Sequence, residues 1–376
     1  LLKTRDMSAR DITTIIHQNN PIIDKSVRND FTKTLDSFRI TKQTQQVIPL
    51  DLLRKLLPKV EEDNYVFIVG DPSGSCCSYV IEHLGVSPSN VWVWEDHPTH
   101  KFLIQSISSE INILNNIEDY TMNKSKTYCI GNPPYSSEDR NDNQKVWKKH
   151  LFNAMSRAKT TSFVVPASVI SPSIHFNEIR PHLSYILTDV KKYFPNTAST
   201  FVVITVEDSI QDQCLIETKD CTFEISLKDI QFLPNNITRE NIEYLQKTLK
   251  GGREWKSNSV YPSSINFRHQ WENPEGKIEV LHTNNKSFFT DKESSLNKEI
   301  RVAVTKSGEP NFQVVHNKGL TECMIYTDGF DTLDEAQKYC AFCNSNVIQK
   351  ALSLSKFSGW TTRTVINNIP NILNEE

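Results

Sequence analysis

Between Tyr65 and Glu207 the chain switches again and again from short apolar runs to longer stretches with helical spacing, and this alternation limits the folds open to it. "YVFIV" (Tyr65–Val69) reads as a buried strand, followed by the turn GDPSGS and a helix over Cys76–Leu84. "NVWVW" (Asn90–Trp94) is a second strand; it ends in Glu95 and Asp96, and a helix over Thr99–Ser108 follows. Ile111–Leu114 and "TYCI" are the next strands, then a helix over Gln144–Ala158, the strand "TSFVVP" and a helix over Ser173–Leu183. "ILTDVKKYF" and "STFVVITVE" close the series as an antiparallel pair. Strands that alternate with helices predict a doubly wound, mostly parallel α/β sheet. Ahead of it, "PLDLLRKLLPKV" spaces leucines for a helix with a proline start.

Three regions follow from the texture. Residues 1–40 form a polar, weakly periodic extension, 41–209 a sheet domain, and 210–376 a second region. In that last region "CLIETKDCTFEISL" alternates like strands, "TRENIEYLQKTL" is a threonine-capped helix and Thr332–Leu352 forms a further helix, so an α+β domain is expected. The composition suits an ordinary globular protein, with 38% hydrophobic and 23% charged residues among 376. No apolar run approaches the ~18 residues of a membrane span. A formal net charge of −3 argues against a uniformly basic nucleic-acid coat but leaves room for a local basic groove. The start, LLKTRDMSARDITT, has neither an initiating Met nor a secretory pattern, the look of a fragment or a trimmed chain. Eight scattered cysteines read as reduced thiols. The Cys340–Cys343 pair lacks two further ligands at zinc spacing, so no metal is expected.

Four strand ends carry the chemistry. After the first strand, Asp71, Pro72, Ser73 and Gly74 form a turn of an acid and small residues, where a ligand can approach the backbone and meet a helix N-terminus. Glu95 and Asp96 end the second strand about 20 residues further on, where an acid meets ribose hydroxyls in doubly wound nucleotide sites. After the third strand, "NNIEDY" offers Glu118 or Asp119 as an acceptor for an exocyclic adenine amine. The fourth ends in "GNPPY": Asn132, Pro133, Pro134 and Tyr135. Two prolines cannot continue a helix or a central strand, so this is a stiff loop at a strand's C-terminal end. In open α/β sheets that end faces the ligand crevice.

Taken in this order, the motifs resemble the S-adenosylmethionine-dependent amino-methyltransferases, most closely the DNA adenine-N6 group of restriction-modification systems and phages. GDPSGS resembles their cofactor motif, VWVWED the ribose motif with Glu95 as its acid, and NNIEDY the adenine motif with Asp119 the better match. GNPPY matches their catalytic motif without substitution. "KQTQQVIPLDLLRKLL" resembles the segment over the cofactor's methionine part; Pro49 matches, and Thr44 stands in for a threonine that normally adjoins the proline. "WKKHLFNAMSRAKTTSFVVPASVI" and "DTLDEAQKYCAFCNSNVIQKALSLSKFSG…NNIP" resemble the following helix and strand and the ending of the group. The stretch from about 210 to 320 matches nothing in the family. Where the family has a second glycine, this chain has Cys76, which narrows the space beside the cofactor.

The resemblance implies a seven-stranded class I methyltransferase sheet, a C-terminal target-recognition domain, S-adenosylmethionine as cofactor and methylation of a flipped adenine in double-stranded DNA. A second aromatic, Phe194 or Tyr193, is expected to sandwich the base. Lys145, Lys148 and Lys149 beside the loop, with Arg253, Lys256, Arg268 and Lys306 in the second region, are the expected phosphate contacts. A cognate restriction endonuclease is an expected partner; the chain shows no nuclease-like PD-(D/E)xK cluster of its own. A cytoplasmic location in a bacterial or phage-infected cell goes with this reading. Its alternatives are a methyltransferase acting on cytosine N4, an RNA base or a protein amide, and a catalytically degenerate DNA-binding relative.

Overall fold

The computed structural model describes residues 47–61, 63–135, 146–194, 200–257, 260–356 and 362–372. Thr44, Lys145 and the extension before residue 40 lie outside them. Two compact units emerge: one takes the chain up to Val169 and Glu178–Asp229, the other Ile170–Asn177 and the chain from Ile230 onward.

The first unit is built on β1 (Tyr65–Val69), β2 (Val91–Trp94), β3 (Asn112–Leu114), β4 (Thr127–Gly131), β5 (Thr160–Pro166), β6 (Leu183–Leu187), β7 (Phe201–Glu207), β8 (Cys214–Glu217) and β9 (Thr222–Ile225). They form one sheet in the order β3-β2-β1-β4-β5-β7-β6-β8-β9. β1 to β5 pair in parallel, while β7 runs antiparallel between β5 and β6. Val66, Phe67, Ile68 and Val69 are all fully buried, as a strand covered on both faces requires. The helix Leu50–Leu56 turns Leu52, Leu53 and Leu56 into this core. It starts at Pro49, whose carbonyl accepts from the Leu52 and Leu53 amides at 2.9 Å each.

Three expectations need correction. The sheet has nine strands rather than seven, because β8 and β9 extend it beyond β6. β8 lies parallel to β6 and buries Cys214 and Ile216, so an alternating segment placed in the second region belongs to the sheet, and the division falls at 229/230 rather than 209/210. The helix expected over Cys76–Leu84 is α-helical at Ser75–Ser78 and continues as a π-helix over Tyr79–His83.

The second unit is α+β. β10 (Trp255–Lys256), β13 (Arg301–Thr305), β14 (Gln313–Val315) and β16 (Met324–Thr327) form an antiparallel sheet in the order β10-β16-β13-β14. β11 (Ile278–Thr283), β12 (Lys286–Thr290) and β15 (Gly319–Leu320) form a second, with Tyr261, Trp271, Val280 and Phe288 as its core. The helix Arg239–Thr248 is capped by Thr238, whose hydroxyl accepts from the Asn241 amide. The single helix expected over Thr332–Leu352 is two, Leu333–Cys343 and Asn346–Leu354. They break at Asn344, whose side chain pairs with both backbone groups of Phe312. Thr332 and Glu335 form the capping box that starts the first.

Candidate active site

Register brings three strand ends together. Val69 of β1 pairs with Trp94 of β2 on one side and Gly131 of β4 on the other. The residues just beyond, Asp71, Glu95 and Asn132, therefore line one edge of the sheet, with two strand spacings, roughly 10 Å, between the outer two. Gly131 makes this approach possible: a Cβ there would lie 2.2 Å from the Val69 carbonyl oxygen.

Asp71 is buried, and its carboxylate caps the following helix, accepting from the Cys76 amide at 3.2 Å and the Cys77 amide at 3.0 Å. Burial raises its pKa, and those two amides pull the other way. Pro72 and Ser73 are buried in the turn, where the Ser73 hydroxyl donates to Ser75 Oγ at 3.0 Å. Gly74 has φ 72°, and a Cβ on it would meet Ile107 Cδ1 at 2.5 Å. Both demands select glycine. Burial, with Asp71 beside them, pushes the Cys76 and Cys77 thiols well up, so neither is a nucleophile at neutral pH.

Glu95 is 3% exposed. Its Oε1 accepts from the amides of Asp96 at 3.1 Å and His97 at 3.0 Å. Its Oε2 lies 3.1 Å from Nδ1 of buried His100. Oε2 has no hydrogen-bond partner among the described residues. Asp96 itself is exposed. Glu118 and Asp119 sit in the turn of 3₁₀ helix Ile117–Asp119, both exposed; Asn153 donates to Glu118 at 3.3 Å and Asn116 to Asp119 at 3.5 Å.

Asn132 is 1% exposed, and Pro133 and Pro134 are buried beside it. The half-buried Tyr135 turns its hydroxyl inward, within donating reach of Asn132 Oδ1 and of the Val164 carbonyl, which share its one proton. Its ring stacks on Phe201 at 5.0 Å, and Phe194 meets Phe201 edge-on at 5.9 Å. Phe194 is thus a neighbour of the loop at one remove, with its ring in the core.

The expected cations divide by unit. Lys148 lies over the Trp147 ring in the first. In the second, Arg253 donates to the Gly329 carbonyl at 2.7 Å and covers Phe330, while Arg268 pairs with Glu272 at 2.9 Å and covers Phe288. No metal-binding group of His, Cys, Asp and Glu occurs among the described residues, and none of their helices is long and apolar enough to cross a membrane. Sequence reasoning missed Phe201 and His100. Phe201 opens β7 opposite Pro166, a position that only strand pairing reveals. His100 follows Glu95 by five residues and lies in the first turn of the helix Pro98–Ile107, with no motif to mark it.

No family model and no curated protein matches the sequence. Solved structures do match the fold, and they include restriction-modification enzymes and methyltransferases. A nuclease-deletion mutant of the type ISP restriction-modification enzyme LlaGI, in complex with a DNA substrate mimic, matches with TM-score 0.51 at 11% identity, covering 93% of this chain and 55% of that one. The type IIG restriction endonuclease BpuSI (TM-score 0.45, 12% identity, 98% and 62% covered) and the type IIL enzyme MmeI in complex with DNA (0.44, 10%, 96% and 65%) are further neighbours. The chain spans less than two thirds of the length of each. The likeness is one of fold: a mixed α/β architecture on a large, mostly parallel sheet.

Proposed function

We propose that the chain methylates the exocyclic N6 amine of an adenine flipped out of double-stranded DNA, with S-adenosylmethionine as methyl donor. The observation that carries this reading is the buried Asn132 in its Pro-Pro-Tyr loop, on the same sheet edge as the buried carboxylates Asp71 and Glu95. The residues present fit the cofactor: Glu95 Oε2, a buried carboxylate oxygen without a hydrogen bond, is an acceptor for a ribose hydroxyl. Asp71 holds the turn through Gly74, Pro49 starts the covering helix, and Asp119 or Glu118 accepts from the adenine amine. When bound, the cofactor supplies a methyl group on a sulfonium, an electrophile that needs no metal.

An exocyclic amine is a poor nucleophile because its lone pair is delocalised into the ring. Asn132 Oδ1 accepts one of its N–H bonds and the Pro133 carbonyl, held by a locked φ, accepts the other. Two acceptors favour a pyramidal nitrogen with its lone pair directed outward. Tyr135, stacked on Phe201 with one face, offers the other to the base. Catalysis is then by position and electrostatics, without a covalent enzyme intermediate. Flipping the base costs a few kcal/mol of stacking and pairing. Lys148, Arg253 and Arg268 are proposed phosphate contacts, and the second unit is the proposed target reader. A cognate endonuclease is the proposed partner and the cytoplasm the proposed location.

The test is incubation with labelled S-adenosylmethionine and unmethylated duplex DNA of mixed sequence, followed by nucleoside mass spectrometry, with Asn132→Ala in parallel. N6-methyladenine that vanishes in the variant is the expected result. N4-methylcytosine would move the target base. Cofactor binding without a methylated nucleoside would point to RNA or protein, and no cofactor binding at all would sink the enzyme reading.

A further inference from the structure

The second unit holds a groove that the proposed reaction does not use. Side chains of the helices Arg239–Thr248 and Asn346–Leu354 and of the chain at 370–372 line it, and it encloses about 750 Å³. A space of that size lies within the range of sites that hold a ligand. Its walls are tied together. The Tyr244 hydroxyl donates to the Val347 carbonyl at 2.9 Å and links one helix to the other. The Gly251 amide donates to the Asn368 carbonyl at 3.2 Å, and a Cβ on Gly252 would lie 1.7 Å from the Ile369 carbonyl oxygen, so glycine lets the two segments close up.

The lining combines two kinds of side chain. Phe342, Val347, Ile348 and Ile372 are apolar, and Val347 is 52% exposed. Lys247 and Lys250 carry charge, and no carboxylate lines the groove among the described residues. Both lysines are exposed, and neither has an ion pair among the described residues. Other cations of this unit are matched: Arg268 with Glu272, Arg301 with Glu299, Lys318 with Glu279 and Lys338 with Asp334. Apolar surface beside unmatched positive charge is complementary to a ligand that carries apolar groups and carboxylates together. A nucleic-acid strand suits the groove less well, because single strands bind by stacking bases on open aromatic faces. Here the Tyr244 ring has Lys350 over it at 4.4 Å, and the Phe342 ring packs towards Tyr339 at 6.4 Å. Val347, Ile348 and Ile372 are aliphatic, the lining that takes leucine-like side chains when a helix lies in a groove.

We propose that this groove docks an acidic, amphipathic segment of a partner protein, with its apolar side chains on Phe342, Val347 and Ile372 and its carboxylates on Lys247 and Lys250. The docking site is separate from the methyl-transfer reading and does not depend on it.

The test is fluorescence anisotropy of the full chain with a labelled amphipathic peptide of glutamates and leucines. Two altered peptides run alongside, one with glutamine for every glutamate and one with serine for every leucine. Wild type is expected to bind the parent peptide saturably and each altered peptide about tenfold more weakly. Lys247→Glu/Lys250→Glu is expected to lose the parent peptide to the same extent and to bind a lysine–leucine peptide instead. Val347→Ser, which leaves the charge unchanged, is expected to weaken binding about fivefold. If the charge-reversed chain fails to fold, the altered peptides on wild type read the same two contributions. No binding of the parent peptide, or equal binding by wild type and Lys247→Glu/Lys250→Glu, overturns the docking site. Duplex DNA of mixed sequence that displaces the peptide, with the same dependence on these two lysines, gives the groove to nucleic acid and overturns it too. A wild-type dimer in sedimentation that Val347→Ser dissociates gives it to a second copy of the chain, with the same consequence. None of these outcomes bears on methyl transfer.

Discussion

Arg301 in the second unit and Glu95 in the sheet unit are both charged side chains withdrawn from water, and the two regions treat them differently. The Arg301 guanidinium donates twice to Glu299, at 2.6 and 3.2 Å, and lies 4.8 Å from the Tyr326 ring. Arg253 differs from it: the guanidinium donates to the Gly329 carbonyl and covers the Phe330 ring, while its Nε has no hydrogen-bond partner among the described residues. In the sheet unit Glu95 keeps an oxygen, and His100 both nitrogens, without hydrogen bonds among the described residues. Charge that is satisfied internally holds a fold together. Buried polar atoms without a hydrogen bond occur in both units among the described residues, Trp255 Nε1 and Tyr339 Oη in the second included, so the contrast is between these two charges and not between the units as wholes.

The largest effect that sharpens this contrast is at the loop. Asn132→Ala is expected to lower methyl transfer about 10²- to 10³-fold, read by labelled methyl incorporation, while the urea midpoint moves by less than about 1 kcal/mol equivalent. A large loss of stability with the rate intact would make Asn132 a structural residue like Arg301. Next, Gly131→Ala sets a Cβ against the Val69 carbonyl and is expected to cost on the order of 3 kcal/mol in urea unfolding.

His150 gives the acid limb. Burial, with Lys149 adding to it, lowers its pKa from 6.5 to about 4, and its ring lies 4.5 Å from Trp94. The unfolded chain therefore takes up this proton first. Stability from this residue is full above about pH 6.5 and is lost as pH falls toward 4, by up to about 3 kcal/mol. Urea titrations at stepped pH should show that slope, and His150→Phe should flatten it.

Smaller effects test the second unit. Glu299→Gln is expected to cost about 1 kcal/mol with methyl transfer unchanged; a rate loss instead would break the comparison. Arg268→Ala, which removes a half-exposed pair with Glu272, should cost less than about 1 kcal/mol. If it contacts a phosphate, the salt slope of DNA binding should fall by about one.

The sheet unit was the more legible of the two because its signals are local. "YVFIV" and "TYCI" declare buried strands, and the double proline declares where β4 stops. The antiparallel pairing of β7 with β6 was expected, but β6 ends at Leu187, and the later part of "ILTDVKKYF" holds a 3₁₀ turn over Lys191–Tyr193 instead of a strand. What stayed hidden depends on contacts distant in sequence. β8 alternates like any half-buried strand, and nothing in "CLIE" says that its partner is β6. The break at Asn344 is set by the backbone of Phe312, 32 residues earlier. In the site, the acids and Asn132 could be named from motifs, whereas the inward turn of the Tyr135 hydroxyl depends on Val164 and the ring stack on Phe201.

The division of the chain has a practical side. Residues 170–177 leave the sheet unit, join the second unit, and the chain then returns for β6 to β9. Ile170 supplies a carbonyl to the Leu233 amide inside that second unit. The polypeptide therefore passes between the units three times, and no single cut separates them. A graft of the second unit onto a foreign sheet has to carry two pieces, the short one as well as the long. Exchange of the region after 229 alone would give hybrids whose new half is packed around eight residues of the old one.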